Sequence, residues 1–207
     1  MRDHRRQAGF SLIEVLITLF VFAIGILTVA GLQIISKKSN FDAVQRTTAS
    51  MLANDIAERM RANLDNNGGS LDAYLVEDLG GATLGQPGAD CTAGSCSADD
   101  LAAWDLYEWE QALDGASETN ADGASLGGLV EATGCIRSNN GVGGAGTYHV
   151  VIAWRGVSPL SNPTVDQNLT DAAAEGCGEG SDKYVDDETN AADVYRRVVV
   201  LSTYITP

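Results

Sequence analysis

Glu14 is the only charged residue in a run of 26, from Phe10 to Ile35. A carboxylate in hydrocarbon costs roughly 2.5–3.5 kcal/mol on insertion scales and usually has a partner, so the chemistry expected of it is ion pairing rather than proton transfer. Four cysteines, Cys91, Cys96, Cys135 and Cys177, all lie beyond this run. Outside the membrane they point to disulfides, for which three connectivities are possible. The favoured pairing joins Cys91 to Cys96 as a local clamp and Cys135 to Cys177 as a long bridge from a strand to the loop before the last strand. A metal site built on the same thiols lacks the usual CxxC pairs and nearby histidines.

Other reactive side chains are sparse. His4 and His149 are the two histidines. His149 sits on a predicted strand, where surface or packing roles are commoner than catalysis, and nothing marks a nucleophile beside it, so an enzyme is not expected. The acidic run Asp182 to Glu188, with Asp182, Asp186, Asp187 and Glu188, offers carboxylates to calcium. Its spacing does not match an EF-hand loop, and a solvated acidic loop is the plainer reading. Asn168-Leu169-Thr170 matches a glycosylation sequon, a short and unspecific pattern.

The elements that carry these residues divide the chain. Of 207 residues, 13 are Lys or Arg and 28 are Asp or Glu, for a formal charge of -15. Phosphate backbones are held by basic clusters, so this balance excludes a nucleic-acid role. Up to Asn63 there are 8 basic and 5 acidic residues, and behind it 5 and 23, so the front carries +3 and the back -18. A membrane-embedded stalk with a soluble head fits that split.

From Val15 to Ser36 the chain carries no charge. About 20 helical residues cross a bilayer core of about 30 Å, so the run is long enough to span. Arg2, Arg5 and Arg6 precede it, which places the N-terminus in the cytoplasm and the head in the periplasm or outside the cell. A cleaved secretory signal, with Thr28-Val29-Ala30 as its cleavage site, would have an apolar region of only about 7 to 15 residues. An ordinary signal anchor fits the length but gives no reason for Glu14.

Beyond Lys38 the pattern Phe41, Val44, Thr48, Met51, Leu52, Ile56, Met60, Leu64 predicts one apolar stripe on a continuing helix, ended by Asn66-Asn67-Gly68-Gly69. A helix from Leu12 to Leu64 would be roughly 80 Å long at 1.5 Å per residue. In the head, Asp99 to Leu113 reads as an amphipathic helix. Thr147 to Arg155 reads as the best strand, with Tyr148, Val150, Ile152 and Trp154 on one face; Val194 to Ile205 is a second and Leu129 to Arg137 a weaker third. Glycine clusters at Gly141 to Gly146 and Gly176 to Gly180 separate them. The expected architecture is α+β, an antiparallel sheet packed on the stalk helix.

The segment Gly9-Phe10-Ser11-Leu12-Ile13-Glu14-Val15-Leu16-Ile17 resembles the class III signal of the type IV pilin and type II secretion pseudopilin superfamily. The resemblance implies a pilin-like fold with a leader at 1–9, a transmembrane helix half at 10–36, an amphipathic stalk half at 37–65 and a head at 66–207. It implies that a prepilin peptidase cuts between Gly9 and Phe10 and methylates the new amine of Phe10, and that this ammonium pairs with Glu14 of a neighbouring subunit to set axial register. Pilins commonly carry a proline in the membrane half; here only Gly25 and Gly31 interrupt the helix, each weakening it by about 1 kcal/mol.

A looser set of spaced residues, Trp104, Gly134-Cys135-Ile136, Tyr148 to Trp154, Cys177-Gly178 and Arg196-Arg197-Val198, resembles the PilV-type minor pilins. That implies a low-abundance subunit that primes assembly and sits near a filament tip. The implied partners are other minor pilins, the major pilin, a PilY-type tip adhesin, the prepilin peptidase and the inner-membrane platform, with no cofactor. The subunit would rest in the inner membrane before assembly and at the cell surface afterwards. Two alternatives stand beside it: a pseudopilin of type II secretion, and a tip module for adhesion.

Overall fold

The computed structural model describes residues 9–64, 69–92, 94–116, 119–121, 125, 127–139, 144–160 and 176–206. The basic residues before Gly9, His4, Asn66 to Gly68, Gly141 to Gly143 and the sequon at Asn168 lie outside the described residues. The chain parts into two compact units between Phe41 and Asp42.

Helix α1 covers Leu12–Ala62, 51 residues. It opens on Ser11, whose carbonyl accepts from the Glu14 and Val15 N–H groups at 3.0 and 3.3 Å. Helical hydrogen bonding continues through Gly25 and Gly31. Within the first unit the apolar side chains are exposed on all sides, and the helix is long and apolar enough to cross a membrane by length and composition.

The second unit is an α+β head. A 3₁₀ turn at Gly69–Tyr74 leads into strand β1 (Val76–Leu79), followed by helix α2 (Ala98–Leu113), β2 (Thr133–Ser138), β3 (Gly146–Arg155), a 3₁₀ turn at Asp182–Tyr184 and β4 (Arg196–Ile205). The strands form an antiparallel sheet in the order β1-β2-β3-β4. The three predicted strands and the predicted helix all form, with edges shifted by a few residues. Residues 129–132 precede β2 as a turn, where Glu131 adopts φ 49°.

Helix α2 has complete local signals. Ser97 caps its start, its side chain accepting from the Asp100 N–H, and Asp99 and Asp100 in the first turn suit the positive end of the dipole. At the other end Gly115 N–H reaches Ala112 O and Ala116 N–H reaches Gln111 O, the paired bonds of a Schellman motif. Gly115 has φ 66°, and a Cβ there would meet the Gly127 carbonyl at 2.0 Å, so glycine is required twice over.

Strand β3 is buried on both faces. Tyr148, Val150, Ile152 and Trp154 enter the main core with Ile56, Met60 and Trp109. Val151 and Ala153 face a smaller core with Cys135, Cys177, Tyr184 and Val198. Gly134 lets β2 approach α2: a Cβ there would sit 2.6 Å from Cη2 of Trp109.

The stalk stripe differs from the expectation. The buried positions of α1 are Gln45, Ala49, Ala53, Ile56, Ala57 and Met60, whereas Phe41, Val44 and Met51 are 40 %, 53 % and 66 % exposed. Ile56 and Met60 are shared with the expected stripe, and Leu52 and Leu64 pack half-buried against the same core, but the fully buried seam upstream is built on alanine. Small side chains let bulky partners come close: Trp109, fully buried on α2, donates its Nε1–H to the Leu52 carbonyl at 3.0 Å.

Candidate functional site

The expected processing residues sit at the mouth of α1. Gly9, Phe10 and Ser11 are extended or irregular and precede the first helical residue, Leu12. Phe10 is 84 % exposed, and among the described residues nothing lies within 4 Å of a Cβ built on Gly9. Glu14 is the acidic residue of the first turn, where the free N–H groups of a helix favour a carboxylate. Among the described residues it has no ion-pair partner. In hydrocarbon such a group has to be met by a cation from another chain or be neutralised.

In the head, Arg59 is met by partners from within the chain. Arg59 on α1 donates to Asp105 at 2.9 Å and Glu108 at 2.6 Å on α2, and to its own-helix neighbour Asp55 at 3.0 Å. Tyr74 donates to the second Asp105 oxygen at 2.5 Å, Asn63 donates to the Tyr74 hydroxyl at 3.1 Å, and Trp104 donates to Glu108 at 2.9 Å. Burial disfavours the Arg59 cation, but the hydrogen bonds to Glu108 and Asp105 outweigh it and raise its pKa. The same bond from Arg59 holds the Glu108 carboxyl below its ordinary value. Burial, then the Asp105 contact, pushes the Tyr74 hydroxyl up.

Two acids at the end of α2, where the dipole is unfavourable to them, are satisfied by backbone. The fully buried Glu110 accepts from the Thr83 N–H and hydroxyl, both at 2.6 Å, and from the Leu84 N–H at 2.8 Å. Asp114 accepts from Gly81 and Ala82. These contacts dock the 80–84 loop on the helix.

Disulfides join Cys91 to Cys96 and Cys135 to Cys177. The second fastens residues 176–180 across the outer face of the sheet. Asp78, in a left-handed conformation at φ 52°, accepts from the Gly178 N–H at 2.9 Å, and Arg196 donates from Nε to the Cys177 carbonyl at 3.0 Å. Lys183 donates to the Ala132 carbonyl at 2.9 Å, and the Tyr184 hydroxyl to the Glu131 carbonyl at 3.0 Å. Burial pushes the Tyr184 hydroxyl up to about 12. Spaced sequence marks, Gly134-Cys135-Ile136, Cys177-Gly178 and Arg196, thereby meet at one strap.

The calcium candidates are not gathered. Asp186 is engaged in a turn, accepting from the Glu188 and Thr189 N–H groups at 2.9 and 2.7 Å, which hold its carboxyl below the ordinary range. Asp187 is 95 % exposed in its side chain, 4.0 Å from Arg155. Asp182 and Glu188 are exposed. Among the described residues, Asp78, Cys135 and Cys177 form a group of three ligand atoms within 4.8 Å, and the disulfide occupies both of its sulfurs. His149 is buried between Ser202 at 2.8 Å and Asn139 at 2.9 Å, as a packing residue. The internal Arg59, Asp105, Glu108 and Tyr74 network has no mark in the sequence, where Arg59 is one of three stalk arginines with Arg46 and Arg61.

Comparison with protein families gives two matches that abut. Residues 4–30 match the prokaryotic N-terminal methylation motif, and residues 31–107 match the family described as Type IV pilin Tt1218. No curated protein and no solved structure matched the chain. The two matches support the pilin superfamily, a family of structural subunits that assemble with other pilins and the pilus machinery. With its apolar helix and α+β head, the chain is type IV pilin-like and carries the prepilin methylation motif.

Proposed function

We propose that the chain is a minor pilin of the PilV type, a low-abundance structural subunit that primes assembly of a type IV pilus and sits near its tip. The observation that carries the reading is Glu14: a lone acid in the first turn of a helix that then carries no charge from Val15 to Ser36, four residues after an exposed Gly9–Phe10 junction. In this reading residues 1–9 are the leader, 10–36 the membrane half of the stalk, 37–65 its amphipathic half and 66–207 the head.

Prepilin peptidase removes the leader on the cytoplasmic face and methylates Phe10. The helix waits in the inner membrane, and extraction into the filament brings the Glu14 carboxylate to the Phe10 ammonium of an adjacent subunit. At low dielectric an unpaired charge is costly, so this pairing fixes the axial step between subunits. Exposed apolar residues from Leu12 to Ile35, continued by Phe41, Val44 and Met51, provide the surface against which neighbouring helices pack. The head chooses neighbours among minor pilins, the major pilin and a PilY-type adhesin.

Replacing Glu14 with Ala tests the mechanism. Recruitment of this subunit into sheared filaments is expected to fall to background while its membrane level stays normal. Unchanged recruitment refutes it. Loss of a type II secreted enzyme with intact pili would transfer the subunit to a secretion pseudopilus.

A further inference from the structure

The two edges of the sheet are built differently. Edge strand β1 spans four residues, its register with β2 slips between Val76 and Leu79, and Asp78 breaks it with a left-handed backbone. Glu77 on the same strand is held by Arg137 in a two-pronged pair at 2.7 Å. Shortness, a kink and charge are the usual protections against unwanted strand pairing. Strand β4 has none of them along its last eight residues. It runs ten residues in unbroken register with β3, from Arg155↔Arg196 to Gly146↔Ile205, and Val198 to Ile205 contain no charge and no proline.

Its hydrogen-bonding edge can be assigned. Gly156 N–H binds the Tyr195 carbonyl at 2.8 Å, so odd-numbered residues of β4 face β3 and even-numbered ones turn N–H and C=O outward, by the alternation of an antiparallel ladder. At the start of the strand that outer side is covered, with Leu160 N–H on the Val194 carbonyl at 2.8 Å. From Val200 through Ser202 to Tyr204 the outward groups meet no backbone partner among the described residues. Apolar shoulders flank this open stretch on both faces. Val199 and Leu201 are half-buried at the main core, Val200 is half-buried at the smaller core, and Tyr204 is 65 % exposed.

We propose that the open edge at Val200, Ser202 and Tyr204 is a docking site for a short, basic, extended segment of another polypeptide that adds as a fifth strand. Main-chain bonds would supply affinity, and the Val199, Leu201 and Val200, Tyr204 shoulders would select alternating apolar side chains. Charge decides against a second copy. Residues 42–207 contain 8 basic and 26 acidic groups, and pairing β4 with β4 would press two such heads, each at -18, edge to edge within a Debye length of about 8 Å. The same field attracts a basic strand. The proposal stands apart from the pilus reading, which an empty edge would leave untouched.

Amide hydrogen exchange on the full chain in detergent tests it, with a heptapeptide of alternating threonine and valine carrying a lysine at each end as the probe. Exchange at Val200, Ser202 and Tyr204 is expected to slow at least tenfold with this peptide. The slowing should shrink severalfold when glutamates replace the lysines, and vanish when alternate peptide amides are N-methylated. Val200→Pro removes an outward donor that the β3 ladder does not use and is expected to abolish the protection at Ser202 and Tyr204. If that variant fails to fold, the N-methylated peptide still decides. No protection at these three amides, equal protection by the N-methylated peptide, or protection that rises with protein concentration alone each overturns the proposal.

Discussion

Removing the Cys135–Cys177 bridge should cost the head about twice as much stability as removing Cys91–Cys96. The two bonds close chains of very different length, with sequence separations of 42 and 5. In the chain-entropy treatment the denatured state regains about 4 kcal/mol at 25 °C when the longer loop is opened and about 2 kcal/mol for the shorter one. Native-state consequences widen the gap. Cys135 and Cys177 are fully buried with Val151, Ala153 and Tyr184, and the bond fastens the strap that also rests on Asp78 and Arg196. Cys91 and Cys96 lie on a largely exposed loop. Cys135→Ala/Cys177→Ala and Cys91→Ala/Cys96→Ala can be compared by urea unfolding of the detergent-solubilised chain. Trp104, Trp109 and Trp154 all lie in the head, so their emission reports on it alone. Equal losses, or a larger loss from the Cys91–Cys96 pair, would refute the argument that the long bridge organises the outer face of the sheet.

Gly134→Ala should destabilise the head by about 1–3 kcal/mol, because its Cβ would enter the Trp109 ring; adding Trp109→Leu should recover part of the loss, a coupling that a double-mutant cycle measures. Tyr184 predicts an alkaline limb. Its folded pKa of about 12 lies above the ordinary 10, so its stabilisation is complete below pH 10 and is lost as pH rises toward 12, in total roughly 3 kcal/mol. Tyr184→Phe should flatten that limb in unfolding curves measured from pH 9 to 12, at the expense of the hydrogen bonds to Glu131 and Thr133.

Legibility from sequence followed the range of the forces involved. α1, α2, β3 and β4 were readable because their signals are local: charge-free length, the amphipathic pattern of Asp99 to Leu113, and the alternation of Tyr148, Val150, Ile152 and Trp154. The stalk stripe was right at Leu52, Ile56, Met60 and Leu64 and wrong upstream, because large apolar residues were weighted above alanine. Phe41, Val44 and Met51 therefore looked like core, while the seam at Ala49, Ala53 and Ala57 is chosen by the bulk of α2 and the sheet against it. Strand β1 was invisible: Val76-Glu77-Asp78-Leu79 has little strand character of its own and is held by β2 and the Arg137–Glu77 pair. The Arg59 network joins residues 46 and 49 apart in sequence, a separation at which side-chain pairing leaves no pattern to read.

The central claim is that the apolar helix is kept after trimming and begins at Phe10. Intact-mass analysis of the protein from native membranes and from sheared filaments tests it most directly. The predicted species starts at Phe10, carries one methyl group on its amine, contains both disulfides and occurs in both fractions. A mass that retains the residues before Phe10, or one that starts beyond Gly31 in a soluble fraction, would contradict it.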